Sequence, residues 1–106
     1  MNYVGFLPLQ SFNSTGLTTS FKAINASGFT EPVSYAHIVN DSNKDIEISF
    51  DGINSHVWIA AGEPWERTFQ DSAQPKGNLK LVREGTIVYV KSTGSGSGYI
   101  YLESSY

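Results

Sequence analysis

The chain has 106 residues, a formal net charge of −3, 16% charged side chains and no cysteine. That length fits one domain with a single core, and the lack of cysteine excludes a disulfide framework, a thiol nucleophile and a Cys-ligated zinc site. An acidic chain with seven Lys plus Arg is not a sequence-independent nucleic-acid binder.

Residues 1–16 read as an apolar arm or edge strand, and residues 17–106 as one β domain. The arm carries Tyr3, Val4, Phe6, Leu7, Leu9 and Phe12 before any clear strand. Side chains this apolar need cover. Either the arm adds an edge strand to its own sheet, or it packs on a neighbouring subunit and so covers a sheet edge. It is too short and interrupted to span a bilayer. It also lacks a basic n-region and a clean cleavage site, so synthesis in a cytoplasm is expected.

Leu17–Asn25 is rich in residues that favour strands. Val33–Asn40 reads as a strand that ends in the turn cluster Asn40-Asp41-Ser42-Asn43. In the stretch 45–52, Ile46, Ile48 and Phe50 alternate with Glu47, Ser49 and Asp51, the period of a half-buried antiparallel strand. Asp51-Gly52 predicts a tight type I′ turn. The return strand is then Ser55–Ala60, with Val57 and Ile59 on one face and His56 and Trp58 on the other.

Ala61-Gly62-Glu63-Pro64 breaks the chain before a strand at Trp65–Phe69, and Gln74-Pro75-Lys76-Gly77 breaks it again. A short strand over 78–84 and a turn at Glu84-Gly85 follow. The segments TIVYVK (86–91) and YIYLES (99–104) then read as a terminal hairpin around the loop Thr93–Ser97, expected to be mobile or pressed against a neighbour. About eight short strands with Gly or Pro punctuation indicate a sandwich or a barrel.

Candidate chemistry is sparse. STGSGSGY lacks the Gly-Lys-Ser/Thr ending and the following helix of a phosphate loop. Asp41 to Asp45 has the oxygen spacing of the start of a calcium loop, but Ile46 and Gly52 stand where that loop needs Gly and Glu. Ser55 and His56 are strand neighbours and point to opposite faces, the wrong geometry for a nucleophile–base relay. Asn13, Asn25 and Asn40 begin triplets of the glycosylation pattern, read as chance in an Asn/Ser-rich chain. No catalytic, cofactor or metal residue is expected.

Aromatic residues carry the remaining candidates. Trp58 and Trp65, with Glu63 and Glu66 beside the latter, form either a carbohydrate platform or ordinary core and rim packing. Tyr99, Tyr101 and Tyr106 read as a stripe on the outer face of the last strand, opposite Ile100 and Leu102. The stripe is a cross-strand ladder or a contact surface.

Two segments, IVNDSNKDIEISFDGINSHVWIAAG (38–62) and EGTIVYVKSTGSGSGYIYLESSY (84–106), resemble a group of small bacteriophage virion proteins of the capsid decoration kind. In that group a strand ending in Asn and a turn leads to S-Phe/Tyr-Asp-Gly. An apolar I-x-A-G segment follows, and a G-T-x-V/I-Y-V-K strand, a Gly/Ser/Thr loop and a G-Y-I-Y strand close the chain.

The resemblance implies a non-enzymatic component of the virion with a jelly-roll-like antiparallel β-sandwich. Such a protein decorates or cements the shell by binding the major capsid or other virion proteins, often as a homo-oligomer such as a trimer. It requires no nucleic acid, membrane or cofactor. A head–tail connector, tail or fibre part and a carbohydrate-binding module are the alternatives. The resemblance transfers no functional residue, because its motifs are turns and strands. The expected contact residues are Tyr3, Phe6, Leu7, Leu9, Phe12, Trp58, Trp65, Tyr99, Tyr101 and Tyr106.

Overall fold

The computed structural model describes residues 5–69 and 82–106. Among them, eight strands form two four-stranded antiparallel sheets. The strands are β1 Gln10–Asn13, β2 Lys22–Ala23, β3 Tyr35–Ser42 and β4 Ile46–Ser49, then β5 Val57–Ile59, β6 Pro64–Thr68, β7 Tyr89–Lys91 and β8 Gly98–Ser105. One sheet has the order β1-β8-β3-β6 and the other β2-β7-β4-β5. Thus β1 pairs with β8, β2 with β7, β3 with β6 and β4 with β5. The second half of the chain runs back along the first, and the doubled ribbon wraps into a jelly-roll-like sandwich. The turn expected at 74–77 and most of the strand expected over 78–84 lie outside the described residues, as does Tyr3.

Alternation sorts the side chains. Ala36, Ile38, Ile46, Ile48, Val88, Val90, Ile100 and Leu102 are buried between the sheets, and Leu7, Phe12, Phe50, Trp65 and Val82 pack against them. Each fully buried Val, Leu or Ile contributes about 1.5–3 kcal/mol relative to exposure.

Three local readings change. The terminal segments are not a hairpin: β7 pairs with β2 and β4, whereas β8 pairs with β1 and β3 in the other sheet. The Ser/Gly loop therefore crosses between sheets and is held by its own chain. Gly96 N–H donates to Ser14 O at 3.0 Å, Ser97 N–H to Asn43 Oδ1 at 2.9 Å, and Ser14 Oγ to Gly98 O at 2.9 Å.

The turn after β4 is not type I′, which needs positive φ at both central residues. Gly52 has φ 76°, but among the described residues no non-glycine residue has positive φ. The loop instead wraps around the Asp51 carboxylate and closes where His56 N–H donates to Ile48 O at 2.8 Å. Finally, the stretch Leu17–Asn25 holds only the two-residue strand β2. Thr18 Oγ1 accepts from Ser20 N–H and donates to Ser20 O, both at 3.1 Å. This local pairing competes with a ladder.

The arm lies on its own sheet. Gly5 and Tyr106 exchange backbone hydrogen bonds of 2.8 Å, and Leu7 N–H donates to Ser104 O. Phe6 stands opposite Ser105 and Gln10 opposite Leu102, so the arm takes one more residue than β8 over this stretch. Such a bulge at a sheet edge, with Pro8 inside it, blunts the edge against further pairing.

Candidate interaction surface

The core leaves little chemistry idle. Asn40 is fully buried, and its Nδ2 faces the carbonyls of Lys44 (2.7 Å), Ile59 (3.2 Å) and Ala60 (3.1 Å) while Oδ1 accepts from Ser42 Oγ (2.6 Å). It ties the β3–β4 turn to the β5–β6 turn. Asn25 does the same elsewhere, accepting from Val88 N–H at 2.7 Å and donating to Thr86 O. Among the described residues no buried side-chain nitrogen or oxygen lacks a partner.

The two histidines are separately engaged. His56 Nδ1 accepts from Phe50 N–H at 3.0 Å, while neighbouring Ser55 Oγ donates to Glu47 Oε1 at 2.7 Å, so the pair makes no relay. His37 Nδ1 lies 3.4 Å from Glu103 Oε2, and its partner across the strand pair on the other side is Glu66. Tyr35 Oη donates to Glu66 Oε2 at 2.6 Å, and this bond holds the phenol pKa above its ordinary value. The Asp41–Asp45 turn spends its oxygens on the chain: Asn43 Oδ1 accepts from Ser97 N–H and Asp45 Oδ1 from Ala61 N–H. Among the described residues no three His, Asp or Glu side chains converge as metal ligands. No described helix is long and apolar enough to cross a membrane.

The candidate contact residues divide. Phe6 is 83% exposed, Leu9 58% and Trp58 62%, whereas Leu7, Phe12 and Trp65 turn toward the core. Phe12 faces inward because it pairs with buried Ile100. Trp65, on edge strand β6, packs with its ring centroid 6.2 Å from that of Phe50. Trp58 lies in the other sheet, opposite Glu47, whose second neighbour is Lys91. Trp58 and Trp65 therefore form no joint platform, the alternative to core and rim packing, because the β5–β6 connection changes sheets.

Tyr99 and Tyr101 stack on the outer face of β8 with centroids 6.1 Å apart and planes 30° apart. Tyr106 is not in this stripe. Its position has the parity of Ile100 and Leu102, and its ring covers Gly5, where any Cβ would collide with it.

One exposed residue escaped the sequence reading. Ile53, at the tip of the β4–β5 loop, is 80% exposed. Its one sequence signal is an apolar residue between Gly52 and Asn54, where a turn calls for polar ones. The loop beneath it is fixed by Asp51: Oδ1 accepts from Ile53 N–H and Asn54 N–H, both at 2.8 Å, and Oδ2 from Asn54 Nδ2 at 2.9 Å. Hydrogen bonds from the Asn54 and Ile53 amides, above all, hold the carboxyl pKa far below the usual carboxylate range.

No family model matches the chain, and no curated protein matches it. Among solved structures it is similar to the Dit (gp 19.1) protein of phage SPP1, described as a paradigm of the hub adsorption apparatus of phages that infect Gram-positive bacteria. The TM-score is 0.42 at 11% identity, over 97% of this chain and 49% of that one. The chain thus spans about half the length of that protein.

Proposed function

We propose that this chain is a non-enzymatic structural protein of a bacteriophage virion, binding the assembled capsid as a decoration or cement protein. The observation that supports it is a sandwich in which, among the described residues, the buried polar side chains are satisfied while large apolar side chains remain outside. Phe6, Leu9, Ile53, Trp58, Tyr99 and Tyr106 are all exposed on a small domain. Aromatic residues on stiff strands present contact area with few torsions to immobilise, and many identical weak contacts add through multivalency. The sequence resemblance of residues 38–62 and 84–106 supports the same reading. Its partners are the major capsid protein or other virion proteins and further copies of this chain, and its location is the virion.

Quantitative mass spectrometry of purified particles tests this. A copy number comparable to the major shell protein is expected. A few copies per particle would move the protein to the connector, tail or fibres, and absence from particles would overturn the virion reading.

A further inference from the structure

The outer face of the sheet β1-β8-β3-β6 is polar and aromatic. Every outward position of its four strands except Val39 and Pro64 carries a hydrogen-bonding side chain, and none is Lys or Arg. Its carboxylates are Asp41, Glu66 and Glu103. Two cations stand at its rim: Arg67 has the opposite parity on β6, and Lys44 lies in the β3–β4 turn with its stem against Gly96. Net charge therefore does not set this face apart; the order of its groups does.

One cross-strand row puts a donor and an acceptor on either side of a ring. Tyr99 stands opposite both Asn13 on β1 and Asp41 on β3, with facing Cβ atoms about 4.5–5.5 Å apart. Asn13 Oδ1 is already taken, accepting from Thr15 N–H at 3.0 Å and Thr15 Oγ1 at 2.9 Å, so the amide offers its Nδ2 hydrogens. The Asp41 carboxylate offers acceptors only. Tyr99 is 45% exposed, and Tyr101 braces it with ring centroids 6.1 Å apart. Two rows along, His37 lies between Glu103 and Glu66, and Tyr35 Oη holds Glu66 at 2.6 Å. These groups stand on the β3–β8 ladder, paired from Tyr35 to Ser42, so little freedom is lost when they meet a ligand.

We propose that this face binds a neutral oligosaccharide, with one sugar ring seated on Tyr99. The C–H face of a pyranose packs on an aromatic ring, while its hydroxyls both donate and accept, matching Asp41 on one side and Asn13 on the other. An apolar protein surface would cover Asp41, Glu66 and Glu103 without replacing their water, and a nucleic acid or acidic glycan would be repelled by them. The inference goes beyond the proposed function. A copy seated on the particle by the Trp58 face of the other sheet leaves the site open, and one seated by Tyr99 closes it.

An array of immobilised neutral, acidic and amino-sugar oligosaccharides, probed with the isolated full chain, tests it. Dense immobilisation raises weak contacts to a readable level. Neutral sugars are expected to bind. Tyr99→Ala and Asp41→Ala should each weaken that binding at least about tenfold, while Tyr99→Phe, which keeps the ring, and Trp58→Ala, in the other sheet, should retain it. Unchanged circular dichroism and unfolding midpoints report that the variants fold. If no neutral sugar binds, the proposal is overturned. Binding that survives Tyr99→Ala or Asp41→Ala, or that Trp58→Ala abolishes, overturns this site. Binding to amino sugars alone, lost as salt is raised, overturns the neutral ligand in favour of a cationic partner.

Discussion

Replacing Asn40 with Leu keeps a side chain of similar size and removes every polar contact it makes. Four hydrogen-bonded neighbours are affected: the carbonyls of Lys44, Ile59 and Ala60, and Ser42 Oγ. Two of the carbonyls keep another partner, since Ser42 Oγ also reaches Lys44 O at 3.3 Å and Glu63 N–H donates to Ala60 O at 3.0 Å. The loss is then about two hydrogen bonds at ~1 kcal/mol each, plus one poorly satisfied carbonyl at ~1–3 kcal/mol. A destabilisation of about 3–5 kcal/mol is expected, a large part of the ~5–15 kcal/mol of a small domain. With a urea dependence of ~1–3 kcal/mol per molar, the midpoint should fall by about 2 M, followed by the fluorescence of Trp58 and Trp65. Ser42→Ala should cost ~1 kcal/mol and combine non-additively with Asn40→Leu, because the two share a bond. A loss under ~1 kcal/mol for Asn40→Leu, with unchanged slope, would refute the idea that this amide holds the two turns together.

Asp51 has a folded pKa far below its ordinary value of 3.8, so its carboxylate favours the folded state. That contribution is complete above the unfolded pKa and disappears as pH falls from about 4 toward the depressed folded pKa. The stability gap between wild type and Asp51→Asn, from urea midpoints, is therefore expected to be widest near neutrality and to narrow below pH ~4. Two glycines, Gly94 in the Ser/Gly loop and Gly98 at the start of β8, should behave oppositely. Gly98→Ala puts a Cβ into Asp41 O at φ 106° and should cost about 2 kcal/mol or more, while Gly94→Ala meets open space and should stay within ~0.5 kcal/mol. Trp58→Ala and Tyr99→Ala, both at exposed positions, should change the unfolding midpoint little and lower binding to purified particles; unchanged binding for both would count against these faces as contacts.

The alternation around Ile46, Ile48, Val57 and Ile59 made the β4–β5 pair legible, with Trp58 outside and Ile59 within. The same signal failed for Leu17–Asn25, where Thr18 and Ser20 bond to one another at short range and leave only two residues in a ladder. Of the candidate surface, Phe6, Trp58 and Tyr99 were readable because their parity or lack of cover put them outside. Leu7 and Phe12 were not, because the bulge near Pro8 sets the arm's register against β8, and a bulge depends on the partner strand.

By itself, the sequence determined that this is an all-β chain of short strands, where most of them turn, and which residues of β4, β5 and the first part of β8 face inward. Those properties follow from neighbours within a few positions: side-chain alternation, glycine's tolerance of positive φ, and turn chemistry. Only the tertiary structure decided that the last two strands belong to different sheets, that Asn40 is a buried tie between two turns rather than a surface turn residue, and that Trp58 and Trp65 part company. These are choices of partner. A strand pattern specifies which face is apolar and leaves open whose edge it meets, because that choice is made by long-range packing of all eight strands at once.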